Sequence, residues 1–189
     1  MKKLACSLAI LSAQALASGA FAAETVELDL AVSSDMVAVD YHLVDEVRGS
    51  LFGVGVTRND EVDATAAAAT FNVVGDAFGN PDLRSAIGVR AVVHDTFQTA
   101  GSIAVGGSFR YQPHLSPVGF ETQLYYAPEV LNFNDAVQYR ELLARVTFAI
   151  HSRARVFVGW TDKTIEYEGA PVDEVRINRS FNVGFTLTY

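Results

Sequence analysis

The sequence predicts an all-β fold: a closed antiparallel transmembrane β-barrel of about ten strands, with eight as the alternative, behind a cleaved signal peptide. Three observations predict it. Apolar residues recur at every second position through most of the chain beyond its first two dozen residues. No apolar run in that part is long enough for a membrane-spanning helix. The chain also ends inside a strand pattern, with Phe181, Val183, Phe185, Leu187 and Tyr189 on one face and Ser180, Asn182, Gly184, Thr186 and Thr188 between them.

The leader comes first. "MKKLACSLAILSAQALASGAFAAE" places Lys2 and Lys3 before an apolar stretch from Leu4 to Leu16 and ends on the small-x-small site Ala20-Phe21-Ala22. Residues 1–22 therefore read as a secretory signal peptide, and 23–189 as one barrel domain. The apolar stretch is too short and too rich in Ala, Ser and Gln to be a membrane anchor. Cys6 leaves with it, so the mature chain has no cysteine and enters an oxidising compartment without disulfides. A full core or a membrane has to hold it together. With Lys2 and Lys3 gone, 12 basic residues face 22 acidic ones, a net charge of about −10 that argues against a nucleic-acid partner.

The strands follow in order. Thr25–Val32 and Met36–Leu43 are short and joined by "SSD". Leu51–Arg58 and Val62–Val74 flank "RND". "GDAFGNPD" leads to Leu83–Asp95 and Gly101–Gln112, and "PHLSP" to Val118–Ala127 and Tyr139–His151. Ala154–Tyr167, the turn signal "EGAP" and Val175–Tyr189 complete the set. Two stretches compete: "DATAAAATF" is rich in helix-forming alanine, and "DAVQYRELLARV" has room for a helical turn or two.

Alternation alone does not say which face meets water. The polar faces are made of Gly, Ser, Thr, Ala and Asn with few Lys, as a narrow lumen needs; in the last strand that face is read as Arg176, Asn178, Ser180, Asn182, Gly184, Thr186 and Thr188. Several strands are longer than the five or six residues common in globular sheets. Aromatics gather near strand ends and predict interfacial girdles, Tyr126 and Trp160 at one rim and Tyr41, Tyr111 and Tyr189 at the other. A lipid-facing sheet cannot leave an edge open, so the last strand must run to the final residue and pair with the first. Phe181, Val183, Phe185, Leu187 and Tyr189 thus resemble the C-terminal assembly signal of bacterial outer-membrane proteins. The expected address is the outer membrane of a Gram-negative bacterium, reached through the periplasm. The expected partners are outer-membrane lipid, lipopolysaccharide and the barrel assembly machinery, with the barrel itself a monomer. With both termini periplasmic, "PHLSP" and "HSRA" become inner turns, and "APEVLNFNDAVQ" and "EYEGAPVDEV" become longer outer loops.

"ETQLYYAPEVL", "YRELLARVTF" and "RVFVGW" resemble the central and C-terminal parts of the YfaZ family of proteobacterial outer-membrane proteins, most closely over Phe120–Trp160. The resemblance implies an outer-membrane β-barrel with a signal peptide. It implies no agreed activity, substrate or catalytic residue.

No catalytic motif is present, and no enzyme, metal or cofactor is expected. His42, His94, His114 and His151 lie on different strands and turns. His151 and Ser152 adjoin in sequence, and neighbours on a strand point to opposite faces. "GVGVTR" and "AVGGSF" lack a phosphate-binding fingerprint and read as glycines that relieve crowding. "RNDEVD" and "APVDEV" read as solvated loops without calcium-loop spacing.

The charges on the inner face are more informative. Counting outward from the turn at Leu115 sets Arg110 beside Glu121; counting from the loops near Gln98 and Asn132 brings Arg84 and Arg145 to the same level. Arg84, Arg110, Glu121 and Arg145 are predicted to share one band across the lumen, with Glu141 joining from nearer the outer rim and Arg90 on the same inner face. Three functions stay open: a structural or interaction barrel with a mostly plugged lumen, a narrow pore for small solutes, and a secreted soluble β-sandwich that binds a ligand.

Overall fold

The structure, a computed structural model, describes residues 25–168 and 174–189. The expected signal peptide, residues 1–22, lies outside the described residues. All ten expected strands form: β1 Thr25–Val32, β2 Met36–Asp45, β3 Ser50–Asn59, β4 Ala64–Asp76, β5 Leu83–Asp95, β6 Thr99–Tyr111, β7 Val118–Ala127, β9 Ala136–His151, β10 Ala154–Tyr167 and β11 Glu174–Thr188. Between β7 and β9 lies an eleventh element, the two-residue β8 Asn132–Phe133.

Each long strand pairs antiparallel with its sequence neighbour, and β1 pairs with β11 from Glu27↔Thr188 to Val32↔Val183. Beyond that ladder, Val26 and Tyr189 exchange backbone bonds, Tyr189 N–H to the Val26 carbonyl at 2.9 Å and the reverse at 3.2 Å. The sheet is therefore one closed ring of ten strands. This corrects both the eight-stranded alternative and the β-sandwich reading, since a ring has one inside and one outside.

Both helix-friendly stretches are strands. The alanines of β4 pair along β3 and β5, and "DAVQYRELLARV" lies within β9. Helix propensity is worth fractions of a kcal/mol per residue, whereas a strand missing from a closed sheet leaves two unpaired ladders.

Two irregularities shape the ring at its loop end. First, β7 is short and meets only Val105–Tyr111 of β6, so above it Gly101 and Ser102 pair with Phe133 and Asn132 of β8. The Asn132 side chain fixes this patch by donating to the carbonyls of Ala127 at 3.1 Å, Pro128 at 2.8 Å and Val137 at 3.0 Å. Second, Lys163 pairs with Asn178 but Thr164 pairs with Arg176, which leaves Ile177 as the extra residue of a β-bulge. The bulge reverses the facing of β11 beyond it. Ile177 is fully buried, and Arg176 is turned outward, so the expected inner face that included Arg176 stops at Asn178.

Candidate functional site

The outer wall is apolar at mid-height. Val89, Val105 and Val183 are about half exposed, at 45%, 51% and 53%. Phe52, Phe71, Ile87, Leu124, Val146, Phe148, Val158 and Phe181 are exposed around the ring with them. On β9, β10 and β11 the charged side chains of this wall, Arg140, Asp162, Arg176 and Arg179, lie in the half of the strands toward the loops. A continuous apolar surface of this extent has no place in water, and a belt with charged margins is the form a lipid-facing barrel takes. The glycines opposite these valines face inward: a Cβ at Gly184 would run into the Phe157 ring and the Leu30 carbonyl, and one at Gly88 into the Phe71 carbonyl. Of the predicted interfacial aromatics, Tyr111, Tyr126 and Tyr189 are exposed, while Tyr41 and Trp160 are half-buried.

Inside, charges from five strands meet toward the end that carries both termini. Arg110 on β6 donates two bonds to Glu27 on β1, Nη1 at 2.7 Å and Nη2 at 2.9 Å. These strands are five positions apart either way round the ring, so the pair crosses the full lumen. The Arg110 Nε lies 2.6 Å from Glu121, which also receives Arg145. Arg145 reaches Asp29 at 2.8 Å, and Arg155 reaches Glu27 at 3.1 Å. Three carboxylates and three guanidiniums thus balance. A second group lies nearer the loops. Glu141 holds Arg90 at 3.4 Å and Lys163 at 3.2 Å, Arg90 reaches Asp40 at 3.5 Å, and Lys163 donates to Thr57 on β3 at 3.1 Å. It too balances, two against two.

The register expected from the turns is present: Arg110 pairs with Glu121, and Glu121 with Arg145. The structure brings Arg110, Glu121 and Arg145 together, and places Arg90 and Glu141 in the second group instead. Arg84 belongs to neither. It pairs directly opposite Arg110 in the ladder, and its head leaves that like charge for Glu46 in the β2–β3 turn, at 2.6 Å. Glu27, Asp29, Asp40, Arg155 and Lys163 were not singled out from the sequence. Alternation does put them on inner faces, as in "VELDLAV"; what it does not give is the partner across the lumen.

Above the second group the lumen is apolar. Tyr125, Tyr139, Ile165, Tyr167 and Ile177 pack with the alanines of β4 and β6. His94 is fully buried there, its ring 4.7 Å from that of Tyr139. Tyr139 ties the layer to the charges below, donating to Glu141 at 2.7 Å. Between and below the charged groups remains a cavity of about 130 Å³, bordered by Leu51, Val74 and Arg84 toward the termini and by Thr57 and Asn178 at mid-height. The other histidines line the lumen (His42), sit in a turn (His114) or end β9 (His151). Ser152 Oγ lies 3.3 Å from His151 Nδ1, closer than strand alternation predicts because Ser152 sits in the turn. Both side chains are exposed.

A search of curated proteins finds no match. Among solved structures, the chain is similar to one described as the NanC porin in a rhombohedral crystal form, at 9% identity over 86% of this chain and 98% of that one, with a TM-score of 0.42. That likeness is loose and carries no functional meaning. A family model described as YfaZ precursor matches residues 1–185, nearly the whole length, and the chain belongs to the YfaZ family.

Proposed function

We propose that this protein is a small outer-membrane β-barrel of structural or interaction type whose lumen is sealed. The observation that carries the reading is the crossed lumen: Arg110 binds Glu27 on the diametrically opposite strand, and an apolar layer packs above. Charges in a low-dielectric wall need partners, and here they find them across the bore instead of lining a wet channel. The apolar outer belt supports the membrane reading, and the closing strand ending on Tyr189 supports assembly by outer-membrane machinery. In a planar bilayer the purified protein gives little or no steady conductance, and large porin-like conductance would overturn the sealed reading. Deletion of Tyr189 lowers the outer-membrane yield far more than Thr188→Ser does; equal yields would count against the assembly role.

The second reading, a narrow pore, draws on the polar cavity of about 130 Å³. It requires the apolar layer to move. A steady conductance that rises on replacing Ile165 and Ile177 with Ala, but is absent from the wild type, identifies that layer as the seal.

A further inference from the structure

The outer wall is not uniform at the loop end. On β9 and β11, to either side of β10, three arginines stand together: Arg140 and Arg176 both pair with Thr164, from either side, and Arg179 pairs with Asp162 one row nearer mid-height. The next row inward is Ala144, Trp160 and Phe181. Arg140 and Arg176 are 50% and 54% exposed, Arg179 is exposed, and Phe181 beneath them is 77% exposed. The bulge at Ile177 builds this cluster, because it turns Arg176 outward into line with Arg140. Three acids lie around the arginines, and the one nearest the rim, Glu166, accepts a bond from Gln138 at 3.3 Å and pairs in the ladder with Glu174. Asp162 is largely buried, accepts a bond from Thr164 at 3.0 Å and stays 3.8 Å from Arg140; Glu174 holds Arg176 at 2.8 Å. The opposite wall is different. There Arg58 is clamped by two acids, Asp60 at 3.0 Å and Asp63.

We propose that the wall formed by β9, β10 and β11 is a binding site for a phosphorylated glycolipid of the outer leaflet, with Arg140, Arg176 and Arg179 on its phosphate and Phe181 and Trp160 under its acyl chains. Guanidinium forks match phosphate oxygens, and three on the strands that flank β10 present several such forks within two neighbouring rows. The aromatic row directly below meets a chain that hangs from the phosphate into the hydrocarbon. A soluble anion has no use for that row, which decides for a lipid. The site is an anchor on one wall, so it gives the barrel a preferred lipid and a preferred side. It rests on the membrane-inserted reading above and is independent of whether the lumen conducts.

The test uses the folded full barrel in a mild detergent, titrated with bis-phosphorylated lipid A and read by native mass spectrometry. The wild type retains lipid A, and the Arg140→Gln, Arg176→Gln, Arg179→Gln triple variant retains at least ten-fold less. Arg58→Gln is unchanged, and dephosphorylated lipid A binds neither form. Equal retention by the triple variant, or equal binding of the dephosphorylated lipid, overturns the proposal. Displacement of lipid A by millimolar inorganic phosphate makes this a general anion site and also overturns it. Gel migration of boiled against unboiled samples reports separately whether each variant forms a barrel. Should the triple variant fail to do so, Arg179→Gln alone is read against Arg58→Gln by the same criterion.

Discussion

The two halves of the lumen fill the same bore by opposite means. Toward the termini, guanidiniums and carboxylates from opposite strands interlock. Toward the loops, tyrosines, isoleucines and alanines pack with no charge among them. The difference is one of tolerance. An apolar layer loses stability by degrees, as volume is removed. A buried ion network adds little net stability over an apolar filling, yet fails abruptly when one member is lost, because the remaining charges are left buried and unpaired. The charged half therefore fixes which strand faces which, and the apolar half fills the bore by packing.

That contrast can be broken or sharpened by substitution. The largest effect is expected at Glu121, which serves both Arg110 and Arg145. Glu121→Ala costs about 3–5 kcal/mol, read as a lower urea midpoint for loss of the folded gel band. Ile177→Ala in the apolar half costs about 3 kcal/mol by the same measurement and leaves the charged groups paired. Tyr139→Phe tests the joint between the halves: it removes the 2.7 Å bond to Glu141 and costs about 2 kcal/mol. The smallest effect belongs to Arg84→Gln. Arg84 pairs with a half-exposed Glu46 at the rim, and its loss costs under about 1 kcal/mol. An Arg84 variant as damaging as Glu121→Ala would place Arg84 back in the network.

Much of this was legible in the sequence because strand facing has a period of two and turns set register. Counting from Leu115 and from the loop near Asn132 was enough to put Arg110, Glu121 and Arg145 in a row, since the three lie on successive neighbouring strands. Glu27 and Asp29 face the same band from the far side. Their contacts depend on ring closure and on the stagger of strands around it, which no local count contains. The exit of Arg84 was hidden because a ladder position says nothing of where a long side chain goes when its neighbour carries the same charge. The bulge at Ile177 was hidden too. "EVRINRS" holds no Gly or Pro to mark it, and it is favoured by the apolar layer, which takes Ile177 and draws in Val175.

The bonds between Val26 and Tyr189 have a consequence for folding. They join strands that lie far apart in the sequence, so the ring closes only when β1 and β11 meet. Loop-closure entropy grows only with the logarithm of length, but contacts this distant in sequence form slowly. Until β11 reaches β1, the forming sheet carries two raw edges, each able to recruit a stray strand from another molecule. A sheet that lacks β11 is an adhesive ribbon, not a smaller barrel, and the meeting of β1 with β11 decides between a closed cylinder and an aggregate.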